Sequence, residues 1–298
     1  MQLAILLGFL LCGGAAAPPD DPRLAALAPV TGKRSSDLVL DGDTVLDVAY
    51  RNRLGFDRLS RLNPGVRLWL PEPGRVVQLP TEHVLPEARA RGLVVNIPEM
   101  QLYDFTVPDG PEVFAIAIGD GMDPSLVGSY RVGVKRENPT WRVPASIRAE
   151  KPELPAVVPP GPANPLGTHW ITIGNTSYGI HGTNNQWSIG RQATHGCIRL
   201  YDDEMARLYA RIPVRTPIQL VYQTVKLGRR GNEIVIEVHP DLYGRDPDRA
   251  DRIRERIHEL GLDDVVDSDA LRQALEEERG APTTVGVADA HTPVAEAE

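Results

Sequence analysis

The sequence has few cysteines, no excess of basic charge and no apolar run long enough to cross a bilayer. Its 32 Lys and Arg residues against 40 Asp and Glu residues give a formal net charge of -8. This balance argues against a protein that binds nucleic acid or an anionic membrane by general electrostatics, because phosphate binding needs clustered Lys and Arg. The run at residues 3–11 is shorter than the roughly 20 residues of a membrane-spanning helix.

That short apolar run is typical of a secretion signal, because small residues follow it at positions 13–17 and Pro18 comes next. We therefore predict a signal peptide at residues 1–17 and a location outside the cytoplasm. Of the two cysteines, Cys12 and Cys197, only Cys197 remains after cleavage, so it has no intramolecular disulfide partner. An unpaired thiol in an oxidising compartment indicates chemistry, and a buried inert cysteine is the alternative.

The N-terminal part after the signal is predicted to contain a linker and a small module. Residues 18–36 are rich in Ala, Pro and charge without periodicity, and we predict a linker there. Residues 37–82 predict the order strand, helix, helix, strand, with Asp43 or Thr44 capping the first helix. This module resembles LysM, the small fold that holds the glycan strands of peptidoglycan. The residues that carry the resemblance are Asp41-Gly42-Asp43-Thr44, Leu62-Asn63-Pro64 and Leu79-Pro80.

Most of the remaining chain is predicted to form short strands separated by Pro and Gly residues. Short β-rich runs recur between residues 92 and 238 without crossover helices between them, which predicts a mainly β fold, a mostly antiparallel sheet or sandwich. One helix is predicted at residues 203–210, capped by Asp202. The proline-rich residues 144–167 predict a long ordered loop or lid. Residues 226–285 predict a strand and helical extension, and residues 286–298 a disordered tail.

Two short motifs concentrate the reactive residue types of the chain. They are Ile180-His181-Gly182-Thr183-Asn184 and Ala193-Thr194-His195-Gly196-Cys197-Ile198-Arg199. A thiol is mostly protonated at neutral pH, and a neighbouring imidazole can take its proton, so His181 is the candidate base for Cys197. Gly196 lets the backbone N–H groups around it approach an oxyanion closely. Each residue alone is more often an ordinary turn or core residue.

Together the two motifs resemble the signature of the L,D-transpeptidase (YkuD) catalytic domain, over residues 92–225, in the Gram-negative periplasmic type with a LysM-like module. The resemblance implies a β-rich enzyme that attacks a peptidoglycan tetrapeptide stem after its third residue and releases D-Ala. It assigns the nucleophile to Cys197, the proton acceptor and donor to His181, and the shaping of the thiolate and oxyanion hole to His195 and Gly196. It makes Arg199 the partner of a substrate carboxylate. The remaining candidates for the oxyanion hole or substrate binding are Gly182, Thr183, Asn184 and Thr194.

The acyl group would pass to an amine, either a second stem, which gives a 3-3 cross-link, or a lysine of an outer-membrane lipoprotein. The alternatives are a hydrolase of the same fold that uses water, such as an L,D-carboxypeptidase, and a non-catalytic wall-binding protein. A metal hydrolase is weaker, because only His195 and Cys197 form a close ligand pair. We predict no cofactor and no metal; the expected partners are stem peptides and glycan strands.

Overall fold

The computed structural model describes residues 21–89 and 91–288. The predicted signal peptide and residues 289–298 of the predicted tail lie outside the described residues. No helix in the described part of the chain is long and apolar enough to cross a membrane. The chain is mainly β, as the sequence predicts.

Within residues 21–89 and 91–288 the α-helices are α1 (Val45–Arg51), α2 (Phe56–Leu62), α3 (Ala145–Glu150), α4 (Asp202–Arg211), α5 (Arg249–Glu259) and α6 (Ser268–Glu277). Two short 3-10 helices span Pro22–Ala26 and Gln186–Ser188. The strands are β1 (Ala28–Gly32), β2 (Ser35–Leu38), β3 (Val76–Leu79), β4 (Glu82–Val84), β5 (Leu93–Asn96), β6 (Gln101–Asp104), β7 (Glu112–Ala115), β8 (Ile118–Gly119), β9 (Gly128–Glu137), β10 (Trp141–Arg142), β11 (Val157–Val158), β12 (His169–Ile173), β13 (Gly179–His181), β14 (Gln192–Thr194), β15 (Ile198–Arg199), β16 (Pro217–Val221), β17 (Val225–Arg230), β18 (Glu233–Val238) and β19 (Thr283–Val287).

The central unit is an eight-stranded sheet in the order β15-β13-β12-β9-β16-β5-β6-β7. Most neighbours are antiparallel, as predicted, but β16 pairs with β5 and β13 pairs with β15 in parallel. Helix α4 buries Met205 and Leu208 in the core of this sheet, and Ile212, directly after the helix, is buried with them. The predicted cap of α4 is wrong: Tyr201 occupies the cap position, and Asp202 is the first helical residue. Its carboxylate instead accepts hydrogen bonds from the Thr168 backbone and hydroxyl, each at 2.8 Å.

The N-terminal module has the predicted order of strand, helix, helix and strand. Strands β2 and β3 pair antiparallel, with Ser35 opposite Leu79, and α1 and α2 lie between them in the chain. Thr44 caps α1 in a capping box with Asp47, which satisfies backbone donors that the first helical turn leaves open. The apolar residues of the module form a small core of their own.

Residues 21–36, the described part of the predicted linker at 18–36, are not the linker that composition predicts. Leu24 and Leu27 are buried in a C-terminal core, and β1 pairs in parallel with β17 and antiparallel with β4. These strands complete a five-stranded sheet in the order β19-β18-β17-β1-β4, against which α5 and α6 pack. The Ala- and Pro-rich composition of the segment gave no signal for burial of Leu24 and Leu27, and the strands that pair with β1 are remote in sequence. The start of the predicted disordered tail is also ordered, because β19 extends to Val287 and Ala288 is buried.

The N-terminal module is docked on the central unit through backbone contacts. The N–H groups of Phe56 and Asp57, at the start of α2, donate to the carbonyls of Ile189 and Gly190, each at 3.2 Å. Gly190 has a φ of +76°, and a Cβ atom there would lie 2.3 Å from the Cα atom of Gly55. The two chain segments, around Gly55 and Gly190, therefore approach each other more closely than side chains at these positions would allow. This docking fixes the module relative to the loop that leads into β14.

Candidate active site

A single cleft of 990 Å³ on the central sheet brings the predicted reactive residues together. Its lining includes the residues His181, Thr194, His195, Cys197 and Arg199. The proline-rich segment at residues 144–167 forms one wall. That segment is ordered by α3 and by the antiparallel pair β10 and β11. Asn164, buried at its end, donates a hydrogen bond of 2.7 Å to the Pro139 carbonyl.

The pairing of β13 with β15 explains why Cys197 and His181 share this cleft. The parallel register sets Ile180 opposite Ile198 and His181 opposite Arg199. Since side chains alternate across a strand, the two isoleucines enter the core while His181 and Arg199 face the cleft. Cys197 comes directly before β15, on the same side as Arg199. The alternation of apolar and reactive residues in both motifs therefore follows from the pleat.

His181 is held as a neutral imidazole. It is 3% exposed, its ring stacks on Trp170 at 5.7 Å between centroids, and Nδ1 donates to the Gly182 carbonyl at 2.6 Å. That hydrogen bond places the proton on Nδ1 and leaves the lone pair on Nε2. Burial, and then the positive charge of Arg199, lower the pKa of His181 to about 3, against the opposing effect of backbone hydrogen bonds. The imidazole is therefore uncharged at neutral pH.

Cys197 is held as a neutral thiol. It is half-buried and free. Burial raises the pKa of the Cys197 thiol, and this effect outweighs the backbone of Gly179 and the charge of Arg199, which both lower it. With the thiol and the imidazole both neutral, Cys197 and His181 form no thiolate–imidazolium ion pair in this state.

The turn before Cys197 is shaped for an oxyanion. The Thr194 hydroxyl donates to the Cys197 carbonyl at 2.7 Å, which closes the turn. Gly196 has a φ of +92°, and a Cβ atom there would lie 2.6 Å from the ring of Tyr178. Within residues 21–89 and 91–288, no acceptor receives a hydrogen bond from the backbone N–H of Gly196 or Cys197. Open donors beside the thiol are what a backbone oxyanion hole would require.

Arg199 is a cation that has no carboxylate partner within residues 21–89 and 91–288. Its Nε atom is buried and has no hydrogen-bond partner among the described residues. Burial lowers the pKa of its guanidinium, although the Cys197 thiol acts in the opposite direction. A buried cation left open in a cleft is suited to a carboxylate ligand, which a guanidinium binds with two parallel hydrogen bonds.

Three other predicted site residues lie beside the cleft rather than on its lining. A Cβ atom on Gly182 would lie 2.0 Å from a carboxylate oxygen of Asp202, so a larger residue there would displace the carboxylate that accepts from Thr168. The Thr183 hydroxyl accepts from the Asn185 backbone at 2.9 Å. The exposed Asn184 donates to the Pro162 carbonyl at 3.1 Å and so ties the loop after β13 to the proline-rich segment.

Sequence reasoning missed Trp170, Asp123 and Glu150. Trp170 lies directly opposite His181 in the antiparallel pair of β12 and β13, and the hairpin spacing is the signal that could have revealed it. Asp123 accepts from His195 Nδ1 at 2.7 Å, and Glu150 of α3 approaches His195 Nε2 at 4.0 Å. Neither carboxylate carries a local sequence signal, because each reaches His195 from a remote loop or helix.

Comparison with known proteins identifies this architecture. The YkuD family, described as the L,D-transpeptidase catalytic domain, matches residues 90–220. The chain is 39% identical over 218 residues to a protein named probable L,D-transpeptidase ErfK/SrfK from Escherichia coli strain K12, covering 70% of this chain and 68% of that protein. Its counterpart from Salmonella typhimurium is 32% identical over 281 residues, covering 90% of this chain and 89% of that protein.

A third relative, the probable L,D-transpeptidase YcfS from Escherichia coli strain K12, is 37% identical over 218 residues. The match covers 68% of this chain and 66% of that protein's length. The Salmonella typhimurium match includes the flanking modules as well as the central sheet, since it spans most of both chains. The chain belongs to the L,D-transpeptidase family.

Proposed function

We propose that the protein is a periplasmic peptidoglycan L,D-transpeptidase that works through a thioester on Cys197. The observation that carries the proposal is the joint placement of a thiol, a neutral imidazole and an open guanidinium in one cleft, at Cys197, His181 and Arg199. Membership of the family supports the reaction class. The donor is a tetrapeptide stem, cut after its third residue.

In the first half-reaction the Cys197 sulfur attacks the carbonyl carbon of the third stem residue, and its proton passes to Nε2 of His181. The tetrahedral oxyanion takes hydrogen bonds from the open N–H groups at Gly196 and Cys197. The carbon–nitrogen bond then breaks, and His181 returns the proton to the departing D-Ala amine. The products are free D-Ala and a thioester between the stem and Cys197.

In the second half-reaction an acceptor amine attacks the thioester carbonyl, the carbon–sulfur bond breaks, and the Cys197 thiol is restored. An acceptor stem gives a 3-3 cross-link, and a lipoprotein lysine gives covalent anchoring. Water in the same role would make the protein an L,D-carboxypeptidase. The choice depends on the access of each acceptor to the thioester.

Positive charge in the cleft supports a stem peptide as the donor. Arg199 faces the cleft beside Cys197, and Arg136, Arg142 and Lys151 line other parts of it. Stem peptides carry several carboxylates, and fixed cations pair with these while the scissile amide approaches sulfur. Arg199 is the carboxylate partner closest in the chain to the nucleophile.

The N-terminal module is proposed to hold the glycan strand from which the stem extends. Trp69 and Leu70 are 61% and 68% exposed in the connection between α2 and β3. Exposed aromatic and aliphatic side chains of this kind pack against sugar rings. Because the module is docked on the central unit, a glycan held there would present its stems at a fixed distance from the cleft.

The test is intact-mass spectrometry of the mature protein after incubation with a tetrapeptide-stem muropeptide, followed by product analysis with and without a second stem. We expect an adduct of the stem minus D-Ala, which Cys197→Ala abolishes and His181→Gln slows. His258→Gln is the matched control, because that exposed histidine pairs only with Asp263. Release of tripeptide alone in the presence of an amine would establish the hydrolase, and an undamaged thiol that forms no adduct would contradict both enzymatic functions.

A further inference from the structure

His195 lies between two carboxylates at one side of the cleft. Its Nδ1 atom is 2.7 Å from Oδ2 of Asp123, and its Nε2 atom is 4.0 Å from Oε2 of Glu150. The three reactive groups lie within 4.8 Å of one another. They come from the loop after β8, from α3 of the proline-rich wall and from the turn before Cys197. Their convergence is therefore a product of the fold and not of one acidic stretch.

The two distances imply different contacts. At 2.7 Å the Asp123 carboxylate accepts the Nδ1 proton, which leaves the lone pair of a neutral His195 on Nε2. The Glu150 carboxylate is also an acceptor, and its 4.0 Å distance from Nε2 of His195 is too long for a hydrogen bond. Two acceptors thus face each other across a gap, an arrangement that a group with several N–H donors and a positive charge would satisfy.

We propose that Asp123, Glu150 and His195 form the binding site for the acceptor amine. The inference rests on the proposed function and names the residues that serve its second half-reaction. The ligand class is a primary ammonium group at the end of a flexible or short side chain, as in diaminopimelate or lysine. Asp123 orients His195, Glu150 attracts and holds the ammonium, and Nε2 of His195 takes its proton.

The geometry fits this ligand. A nitrogen about 2.8 Å from both Nε2 and the Glu150 oxygen would see them about 90° apart, close to the tetrahedral spread of ammonium N–H bonds. Asp123 and His195 line the same cleft as Cys197, which is two residues along the chain from His195, and Glu150 completes the cluster from beside the lining. An amine held there borders the thioester.

The proton balance requires such a site. An ammonium group has no lone pair, so it must lose one proton before nitrogen can attack the thioester carbonyl. His195 takes that proton, the new carbon–nitrogen bond forms, the carbon–sulfur bond breaks, and the second proton of the attacking nitrogen returns to sulfur by way of His181. The proton on His195 then leaves to solvent through the cleft.

Charge separates the two substrates within the cleft. The cations Arg136, Arg142, Lys151 and Arg199 line the cleft and suit the carboxylates of the donor stem. The carboxylates of Asp123 and Glu150 attract the positively charged ammonium group of the acceptor, whereas the cations elsewhere in the cleft repel it. Glu137 is another carboxylate on the lining, and its register partner is His169 rather than any residue of the Asp123 cluster. Glu137 is therefore the competing candidate for binding the acceptor amine.

The experiment measures the two half-reactions separately in the full mature chain. Wild type, Glu150→Gln, Asp123→Asn, Glu137→Gln and Glu153→Gln are incubated with a tetrapeptide-stem muropeptide and Nα-acetyl-lysine amide. D-Ala release reports acylation, and the ratio of lysine adduct to free tripeptide reports how the thioester is divided between amine and water. Glu153→Gln is the matched control, because Glu153 is an exposed residue of the same segment and is not part of the cluster around His195.

We expect Glu150→Gln and Asp123→Asn to lower the ratio of amine transfer to hydrolysis by about 10-fold or more, the effect of one lost charge-assisted hydrogen bond, with D-Ala release within about twofold of wild type. Glu153→Gln should match wild type. Rescue of the Glu150→Gln ratio at high concentrations of the amine would support a binding role, since that variant keeps His195.

Four outcomes would overturn the inference. They are an unchanged ratio in both variants, an equal fall in D-Ala release, the same loss in Glu137→Gln, and loss of amine transfer on addition of a chelator. The last would assign the three residues to a metal ion. Absence of D-Ala release from wild type would overturn the proposed function and the acceptor site with it, whereas D-Ala release with an unaltered ratio would overturn only the acceptor site.

Discussion

Replacement of Lys226 by Met tests how the N-terminal module, the central unit and the five-stranded sheet are held together. The Nζ atom of Lys226 lies 2.8 Å from Glu99, on the central unit, and 3.1 Å from Glu237 of β18. It also donates to the Val84 carbonyl at 2.6 Å. Arg58 of α2 approaches the same two carboxylates at 3.8 and 2.8 Å. Two cations thus balance two fully buried anions at the meeting point of the three parts.

The Lys226→Met substitution keeps the aliphatic stem and removes one cation, so two buried carboxylates share Arg58 alone. Breaking a buried ion pair on one side costs about 3–5 kcal/mol, because an uncompensated buried charge remains. That is a large part of the roughly 5–15 kcal/mol that stabilises a typical domain. We expect a loss of this size in the free energy of unfolding, measured by urea denaturation followed by tryptophan fluorescence.

Two further variants make this measurement decisive. Arg254→Met removes an exposed cation 2.9 Å from Asp251, and we expect it to cost about 0–1 kcal/mol. The double variant Lys226→Met with Glu237→Gln removes one charge of each sign, so its loss should be smaller than the sum of the two single losses. A Lys226→Met loss no larger than that of Arg254→Met, or strictly additive losses in the double variant, would refute the argument from burial.

Two other predictions concern the docking contact and the base. Gly190→Ala places a Cβ atom 2.3 Å from Gly55, whereas Gly244→Ala has a similar positive φ and open space around it; we expect the first to lose about 1–3 kcal/mol more stability in urea than the second, and equal losses would contradict the close approach. Because the pKa of His181 is lowered to about 3, its neutral form persists as pH falls, so the rate of D-Ala release should stay level from pH 7.5 to 5 and fall only below that range. In Arg199→Gln the loss of a neighbouring positive charge should move this acid limit to higher pH; a limit near 6.5 in wild type would show that His181 is not the base in this state.

Several features of the site follow from the sequence alone. Apolar and reactive residues alternate in Ile180-His181 and in Cys197-Ile198-Arg199, and in the structure the two isoleucines are buried while the other three residues line the cleft. The capping box of Thr44 and the strand, helix, helix, strand order of the module are also local patterns. Such features depend on residues a few positions apart, whose side chains and backbone interact whatever the rest of the chain does.

Tertiary structure alone decided the features that depend on remote partners. Residues 28–32 form a strand because β17 and β4 are there to pair with them, and their own composition predicted a linker. Asp123 and Glu150 reach His195, and Trp170 covers His181, only after the loops and strands that carry them have closed on the sheet. Likewise the neutral state of His181 depends on burial by the whole fold. The motifs therefore indicated the candidate nucleophile and base, whereas burial in the folded chain determines the protonation of both, and the fold places the residues proposed to bind the acceptor.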